Sequence, residues 1–160
     1  MATALDVSKY FLKLSCPEYG DYISNLKLQK LLYYAQGVHL GLYESPLFED
    51  EIQAWEHGPV VPDIYHYYKD NGQSAIDPDY DFDARESTLS QDQLELIQEV
   101  NEVYGRYSAW MLRNMTHNEE PWKSTFTRGV RNKVIEQDLI MKFFKENVVA
   151  GDGKEEKDQE

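Results

Sequence analysis

Between Leu26 and Leu42 the apolar positions recur at Leu28, Leu31, Leu32, Ala35, Val38 and Leu42, with His39 on the same line. This is the spacing of one helical stripe. Tyr33, Tyr34 and Leu40 fall off the stripe, so the helix is apolar on more than one side, and such helices are buried. The stretch therefore predicts a central helix with the others packed around it. Ser24 or Asn25 is placed to cap its start, and Ser45-Pro46 ends it. Gly37 and Gly41 lie one turn apart, where missing side chains let a neighbouring backbone come close.

The flanking patterns predict shorter elements. Asp6 is placed to cap a first helix that buries Val7, Tyr10, Phe11 and Leu14, stopped by Cys16-Pro17. Glu51–Trp55 reads as a short strand or a turn of helix, and Gly58-Pro59 as a turn. Pro62–Lys69 reads as a tyrosine-rich short helix closed by Asn71-Gly72. Asp77–Asp83 alternates acids with Tyr80 and Phe82, which predicts an extended segment with aromatics inward, paired with Ile52–Trp55 as a ribbon. Ser90 and Gln93 form a capping box, with Leu89 and Leu94 as its hydrophobic staple. From there Leu94, Ile97, Val100, Tyr104, Tyr107 and Met111 hold one face to about Met115, a helix of roughly 38 Å. Gly105 predicts a kink or a close contact within it. A break at Thr116–Trp122, a short helix from Pro121-Trp122 and a last helix carrying Leu139, Ile140, Phe143 and Phe144 complete the chain. The fold class expected is mainly α. A single compact multi-helix domain (residues 1–149) surrounds a buried central helix, with a short two-stranded β ribbon as an optional addition. Residues 150–160, AGDGKEEKDQE, are expected to form a disordered acidic tail.

Charge sharpens this picture. The 160 residues carry a formal net charge of −13, which disfavours nucleic acids and anionic membranes and favours a basic partner. Asp77–Glu102 holds nine acids against one arginine, whereas 123–133 holds four bases and no acid. The single cysteine, Cys16, allows no internal disulfide and suits a reducing cytoplasm. No apolar run suggests a signal peptide or a membrane span.

Most candidate chemistry fails on spacing. The Asp77–Asp83 acids lack the glycine and the terminal glutamate of a calcium loop. The four histidines, His39, His57, His66 and His117, show no zinc spacing, and no phosphate loop or nucleophile elbow is present. Two constellations remain. Trp55-Glu56-His57-Gly58-Pro59-Val60 is either a rigid turn or a presented loop. His117-Asn118-Glu119-Glu120-Pro121-Trp122 is either a structural hydrogen-bonded cluster or an acid–base pair, and the structural alternative is favoured.

LQKLLYYAQG (Leu28–Gly37), PLFEDEIQAWEHGPVVPDIY (Pro46–Tyr65) and THNEEPW (Thr116–Trp122) resemble, in the same order, the Panacea domain family of SocA-like antitoxins. The likeness runs from about Leu26 to Phe144. Its motif falls on Leu28, Gln29, Lys30, Gly37, Trp55, Gly58, Pro59, His117, Glu119, Pro121 and Trp122. The resemblance implies the antitoxin half of a bacterial or phage toxin–antitoxin pair. Such a protein would be cytoplasmic, without cofactor or catalysis, and would neutralise a cognate protein toxin by direct binding. An adaptor that delivers the toxin to a protease is the alternative, and a small hydrolase-type enzyme using His57 and His117 the third reading. For partner binding the residues expected are Trp55, His57, Tyr65, Tyr67, Tyr68, Asp79, Asp81 and Asp83. The acids among them would steer a toxin with a basic surface.

Overall fold

Ser24 starts the helix that the rest of the chain packs on. Its side chain accepts from the Lys27 N–H, and α2 runs over Asn25–Tyr43. The computed structural model describes residues 1–149. Before α2 comes α1 (Ala4–Leu14); after it come a hairpin of β1 (Gln53–Trp55) and β2 (Gly58–Val60), then α3 (Pro62–Tyr67). Then come α4 (Gln91–Tyr104), α5 (Ala109–His117), α6 (Glu120–Lys123) and α7 (Gln137–Phe144), which runs on into a π-helical turn at Lys145–Val149. The fold is mainly helical with a small two-stranded sheet, as the sequence predicts. The acidic tail expected at 150–160 lies outside the described residues.

α2 touches α1, α3, α4, α5, α7 and β2, which is why it is largely buried on every side until its last turn. Leu28, Leu31, Leu32, Tyr33, Tyr34, Ala35 and Leu40 are fully buried. The glycine pair does what its spacing predicts, and the neighbour it admits is α7. A methyl at Gly37 would stand inside the Phe144 ring, and one at Gly41 would lie 3.3 Å from Phe144 Cβ. Leu42 departs from the expectation and is half exposed. It sits in the last turn, beside exposed Tyr43, where Glu44 caps the helix at φ 56° and the chain leaves the core.

Four further expectations are corrected. Thr3, not Asp6, caps α1 by accepting from the Asp6 N–H. That leaves the Asp6 carboxylate to accept from Thr88 N (2.9 Å) and Thr88 Oγ1 (2.7 Å), tying α1 to the segment before α4. The ribbon exists, but β1 pairs antiparallel with β2, not with Asp77–Asp83; Gln53 faces Val60 and Trp55 faces Gly58. Gly58, at φ 113°, closes the tight turn through Glu56-His57, and a local turn forms at lower entropic cost than a distant pairing. The other edge of β1 is taken by the chain near Val134, through Ala54 N–H to Lys133 O and Ile135 N–H to Ile52 O, both 2.8 Å. Asp77–Asp83 is irregular: Phe82 is buried, but Tyr80 is 76% exposed. Finally, the long helix expected from Ser90 to about Met115 is two helices. The Ser90/Gln93 capping box starts α4 as predicted, but the chain breaks after Tyr104 and restarts with Ser108 capping α5. Tyr107 and Met111, expected on the inner face, are consequently exposed.

Among the described residues, no helix is long and apolar enough to cross a membrane.

Candidate functional site

The buried face of α2 carries polar side chains that a search for apolar periodicity passes over. Lys27 Nζ donates to Gly105 O (2.6 Å), and five others reach backbone in the stretch that follows the helix. Gln36 donates to Phe48 O (2.8 Å) and accepts from Leu47 N (2.7 Å). Gln29 accepts from Val61 N (2.9 Å), Asn25 donates to Tyr65 O (3.0 Å), and His39 Nδ1 lies 2.7 Å from Ser45 O. Buried backbone groups need partners. Here the helix supplies them, and so fixes the path of residues 45–65.

Lys30 is the most extreme of these. It is fully buried, and its Nζ donates to Pro59 O at 2.8 Å. Its amine rests against Gly58: a Cβ there would meet Lys30 Cε at 2.7 Å and Thr116 Oγ1 at 2.8 Å. Burial, with help from the Arg113 charge, pushes the Lys30 amine down to about 7. The unfolded chain, at its ordinary value of 10.5, therefore binds more protons than the folded one between pH 7 and 10.5. Folding stability attributable to Lys30 is lowest below pH 7 and rises as the pH climbs through that window. Lys30→Met is expected to flatten that rise, by on the order of 1.4 kcal/mol per pH unit at full slope. Urea midpoints measured across the window check this; an unchanged slope in the variant would refute it.

Glu119 meets α2 one turn further on, since Tyr33 and Tyr34 follow Lys30 by three and four residues on the same helix face. Its carboxylate accepts from Tyr33 Oη (3.0 Å) and Tyr34 Oη (2.8 Å), and the Tyr34 ring stacks on Tyr104 at 3.9 Å. Burial raises Glu119 to about 7, against the opposing pull of the two phenols. Near the hairpin, Trp122 Nε1 donates to Trp55 O at 2.7 Å, and the His117 ring stacks on Trp122 at 3.8 Å. His117, bonded to the Glu56 backbone, is pushed down to about 4, first by burial and then by the Arg113 and Lys30 charges. It is thus neutral at physiological pH. Its Nε2 is buried, with no hydrogen-bond partner among the described residues. Gln29, Lys30, Glu119 and Trp122, along with the His117 ring, thus hold elements together. Gly58 and Pro59 lie against them, and Leu28, Gly37 and Pro121 are buried.

The framework borders a concavity of about 1300 Å³. Its wall is built from the loop before α2 (Tyr19, Asp21, Tyr22), the hairpin (Trp55, Glu56, His57) with Arg131 over Trp55, Tyr65 of α3, and the α4–α5 junction (Arg106, Tyr107, Trp110). Four of its aromatics are open to solvent: Tyr19 (88% exposed), Trp110 (55%), Tyr22 (50%) and Tyr107 (36%). Two rings are braced by cations, Arg131 over Trp55 and Arg113 over Trp110, each at 4.3 Å. Arg113 Nε also donates to His57 Nδ1 at 3.2 Å. The lining holds Lys27, Lys69, Arg106 and Arg131 against Asp21 and Glu56, two cations in excess. A second hollow of about 260 Å³ has the opposite sign, gathering Glu49, Asp50, Glu51, Glu136 and Asp138 with no base.

Of the residues expected to bind a partner, the concavity brings together Trp55, His57 and Tyr65. Trp55 packs on Tyr65 with ring centroids 5.1 Å apart. Tyr67 is exposed, whereas Tyr68 is 9% exposed and packs in the core, so it is not available to a partner. Asp79 and Asp81 are exposed and Asp83 half-buried. Asp79 lies 3.6 Å from Lys9 Nζ, and Asp83 accepts from the Arg85 N–H. His57 lines the concavity and His117 does not. Among the described residues, no group of three or more His, Cys, Asp and Glu could hold a metal ion. Tyr19, Tyr22, Arg106, Tyr107, Trp110 and Arg131 were missed from sequence because they come from separate stretches, each too short to show a pattern.

Comparison with known proteins bears on what this framework is. Over 54 residues the chain is 46% identical to Antitoxin SocA of Caulobacter vibrioides (strain NA1000 / CB15N). That stretch is 34% of this chain and 29% of the relative, so the match spans under a third of the relative's length. No solved structure matches. A model of the family described as Antitoxin SocA-like, Panacea domain matches residues 28–123, from the buried face of α2 through the hairpin to the end of α6. The chain belongs to that SocA-like, Panacea domain family.

Proposed function

We propose that this chain is an antitoxin that neutralises a protein toxin by direct binding and carries out no bond-making of its own. The family match over residues 28–123 carries the reading. The geometry supports it, because three of the motif's polar groups are engaged inside the fold: Lys30 on Pro59 O, Glu119 on two phenols, Trp122 on Trp55 O. Neutralisation is then steric, through an interface that buries about 1,600 Å² in total. The net charge of −13, with Asp79 and Asp81 exposed, supports a toxin that is basic overall and is drawn in by the long-range field.

The test is co-expression with the protein encoded in the adjacent reading frame. If that protein arrests growth when induced alone, co-expression of this chain is expected to restore growth, and the two should co-purify. Restored growth with the toxin still abundant supports neutralisation by binding. Restored growth with the toxin gone from the cell would replace it with delivery to a protease. No rescue, with both proteins soluble, would overturn the antitoxin reading.

A further inference from the structure

We infer that the concavity between the 19–24 loop, the hairpin and the α4–α5 junction seats the partner, and that the segment it seats is acidic and apolar. This rests on the reading that the chain acts by binding a protein.

The first argument is exposure. Tyr19, Tyr22, Tyr107 and Trp110 leave large apolar surface in water around a single hollow. Rings are the side chains that most often anchor a protein interface. They are also partly pre-set, since Trp110 lies under Arg113 at 4.3 Å and 5.9 Å from the His57 ring. A ring already held loses little freedom on binding.

The second argument is sign. In a chain of net charge −13 this lining carries two more cations than carboxylates, while the smaller hollow collects five carboxylates and no base. A basic segment entering the concavity would find only Asp21 and Glu56 to pair with. A segment in which carboxylates punctuate apolar side chains would meet Lys69, Arg106 and Arg131 beside the rings. Steering and seating thus have opposite signs: the exterior attracts a basic body, and the hollow takes its acidic, apolar segment. Rings and cations also suit single-stranded nucleic acid. A polyanion longer than the hollow, however, would run onto an anionic exterior, which disfavours it.

The test starts with a phage-displayed random library of about twelve-residue peptides, selected on the intact chain. Enriched sequences are then synthesised and measured against wild type, Trp110→Ala, the pair Lys69→Glu/Arg106→Glu, and Asp79→Lys/Asp81→Lys. All these positions are exposed, so the variants should fold, which circular dichroism checks. Enriched peptides are expected to combine Asp or Glu with aromatic or aliphatic residues. Binding should weaken about tenfold or more in Trp110→Ala and in the Lys69/Arg106 pair, and stay within about twofold in Asp79→Lys/Asp81→Lys. Raising salt should weaken wild-type binding and affect the Lys69/Arg106 pair far less. Selection of basic peptides, no selection at all, or equal binding by the concavity variants would overturn the inference. So would a labelled single-stranded RNA of similar length that binds as tightly as the best peptide.

The growth assay separates the two readings. If Trp110→Ala and the Lys69/Arg106 pair rescue as well as wild type, the seat is wrong and the antitoxin reading stands. If wild type itself fails to rescue, the antitoxin reading falls, and the peptide selection still decides what the concavity binds.

Discussion

Glu119→Ala is expected to lower the unfolding free energy by about 3 kcal/mol. The carboxylate is the acceptor for two phenols, Tyr33 and Tyr34, whose side chains are fully buried. Removing it leaves two buried donors without a partner, at about 1–3 kcal/mol each. Relief of the buried carboxylate's own desolvation offsets part of that. In a chain of 160 residues the melting temperature should fall by roughly 6–12 °C. Glu119→Gln separates hydrogen bonding from charge: its amide oxygen still accepts from one phenol, so the loss should be about 1 kcal/mol. It also removes a titration. Glu119 is raised from 4.5 to about 7 on folding, so the folded state binds more protons between those values. Its contribution to stability is fully present below pH 4.5 and is lost as the pH rises to 7. Lys30 acts in the opposite sense above pH 7, so from these two groups alone stability is lowest near neutrality. Glu119→Gln should flatten the acid limb and leave the alkaline one. A variant that keeps the acid limb would show that another carboxyl is responsible.

These two groups also show which parts of the structure were legible in sequence. Local signals read well. The Ser90/Gln93 capping box and Pro62 at the start of α3 depend on residues within a turn of each other, and both formed. The burial of α2 on every side was legible because Tyr33, Tyr34 and Leu40 fall off its stripe. What could not be read is the use of its polar residues. Lys30 in the sequence is one more cation of a helix, and only the folded path of Gly58-Pro59 reveals the carbonyl it serves. The α4–α5 break was hidden for the opposite reason. Tyr104, Tyr107 and Met111 keep helical spacing across it, and the deciding event is a second cap at Ser108 that spacing cannot rank above continuation. Asp77–Asp83 does not form the ribbon because only one of its two aromatics is buried: Phe82 packs inward, but Tyr80 faces solvent. The motif Trp55–Val60 did point to one wall of the concavity. The other walls come from Tyr19–Tyr22 and Arg106–Trp110, and no sequence pattern joins stretches so far apart.

Gly37 and Phe144 form the contact whose loss should cost most. The 28–123 family match ends before α7, yet α7 is the element that closes α2, and it does so with Phe144 over Gly37. Phe144 is fully buried, with edge-to-face contacts to Tyr33 (5.5 Å), Tyr34 (6.1 Å) and Phe143 (5.3 Å). Phe144→Ala should therefore cost about 3–5 kcal/mol, from lost burial and from a cavity that this ring cluster cannot collapse into. Gly37→Ala is a cleaner probe, because two effects oppose each other. Alanine favours a helix interior over glycine by about 1 kcal/mol. Against that, its methyl overlaps a ring held on three sides, and overpacking of this kind costs about 1–3 kcal/mol. With the Cβ 2.2 Å from the nearest ring carbon the overlap should win, for a net loss of up to about 2 kcal/mol. The double variant decides whether the ring is the cause: with Phe144 reduced to alanine, the methyl at Gly37 enters vacated space, and the helix-propensity gain should reappear. Gly37→Ala/Phe144→Ala is then expected to be no less stable than Phe144→Ala alone, a coupling of about 2 kcal/mol in a urea double-mutant cycle. Simple additivity of the two losses would mean that Gly37 answers to something other than α7.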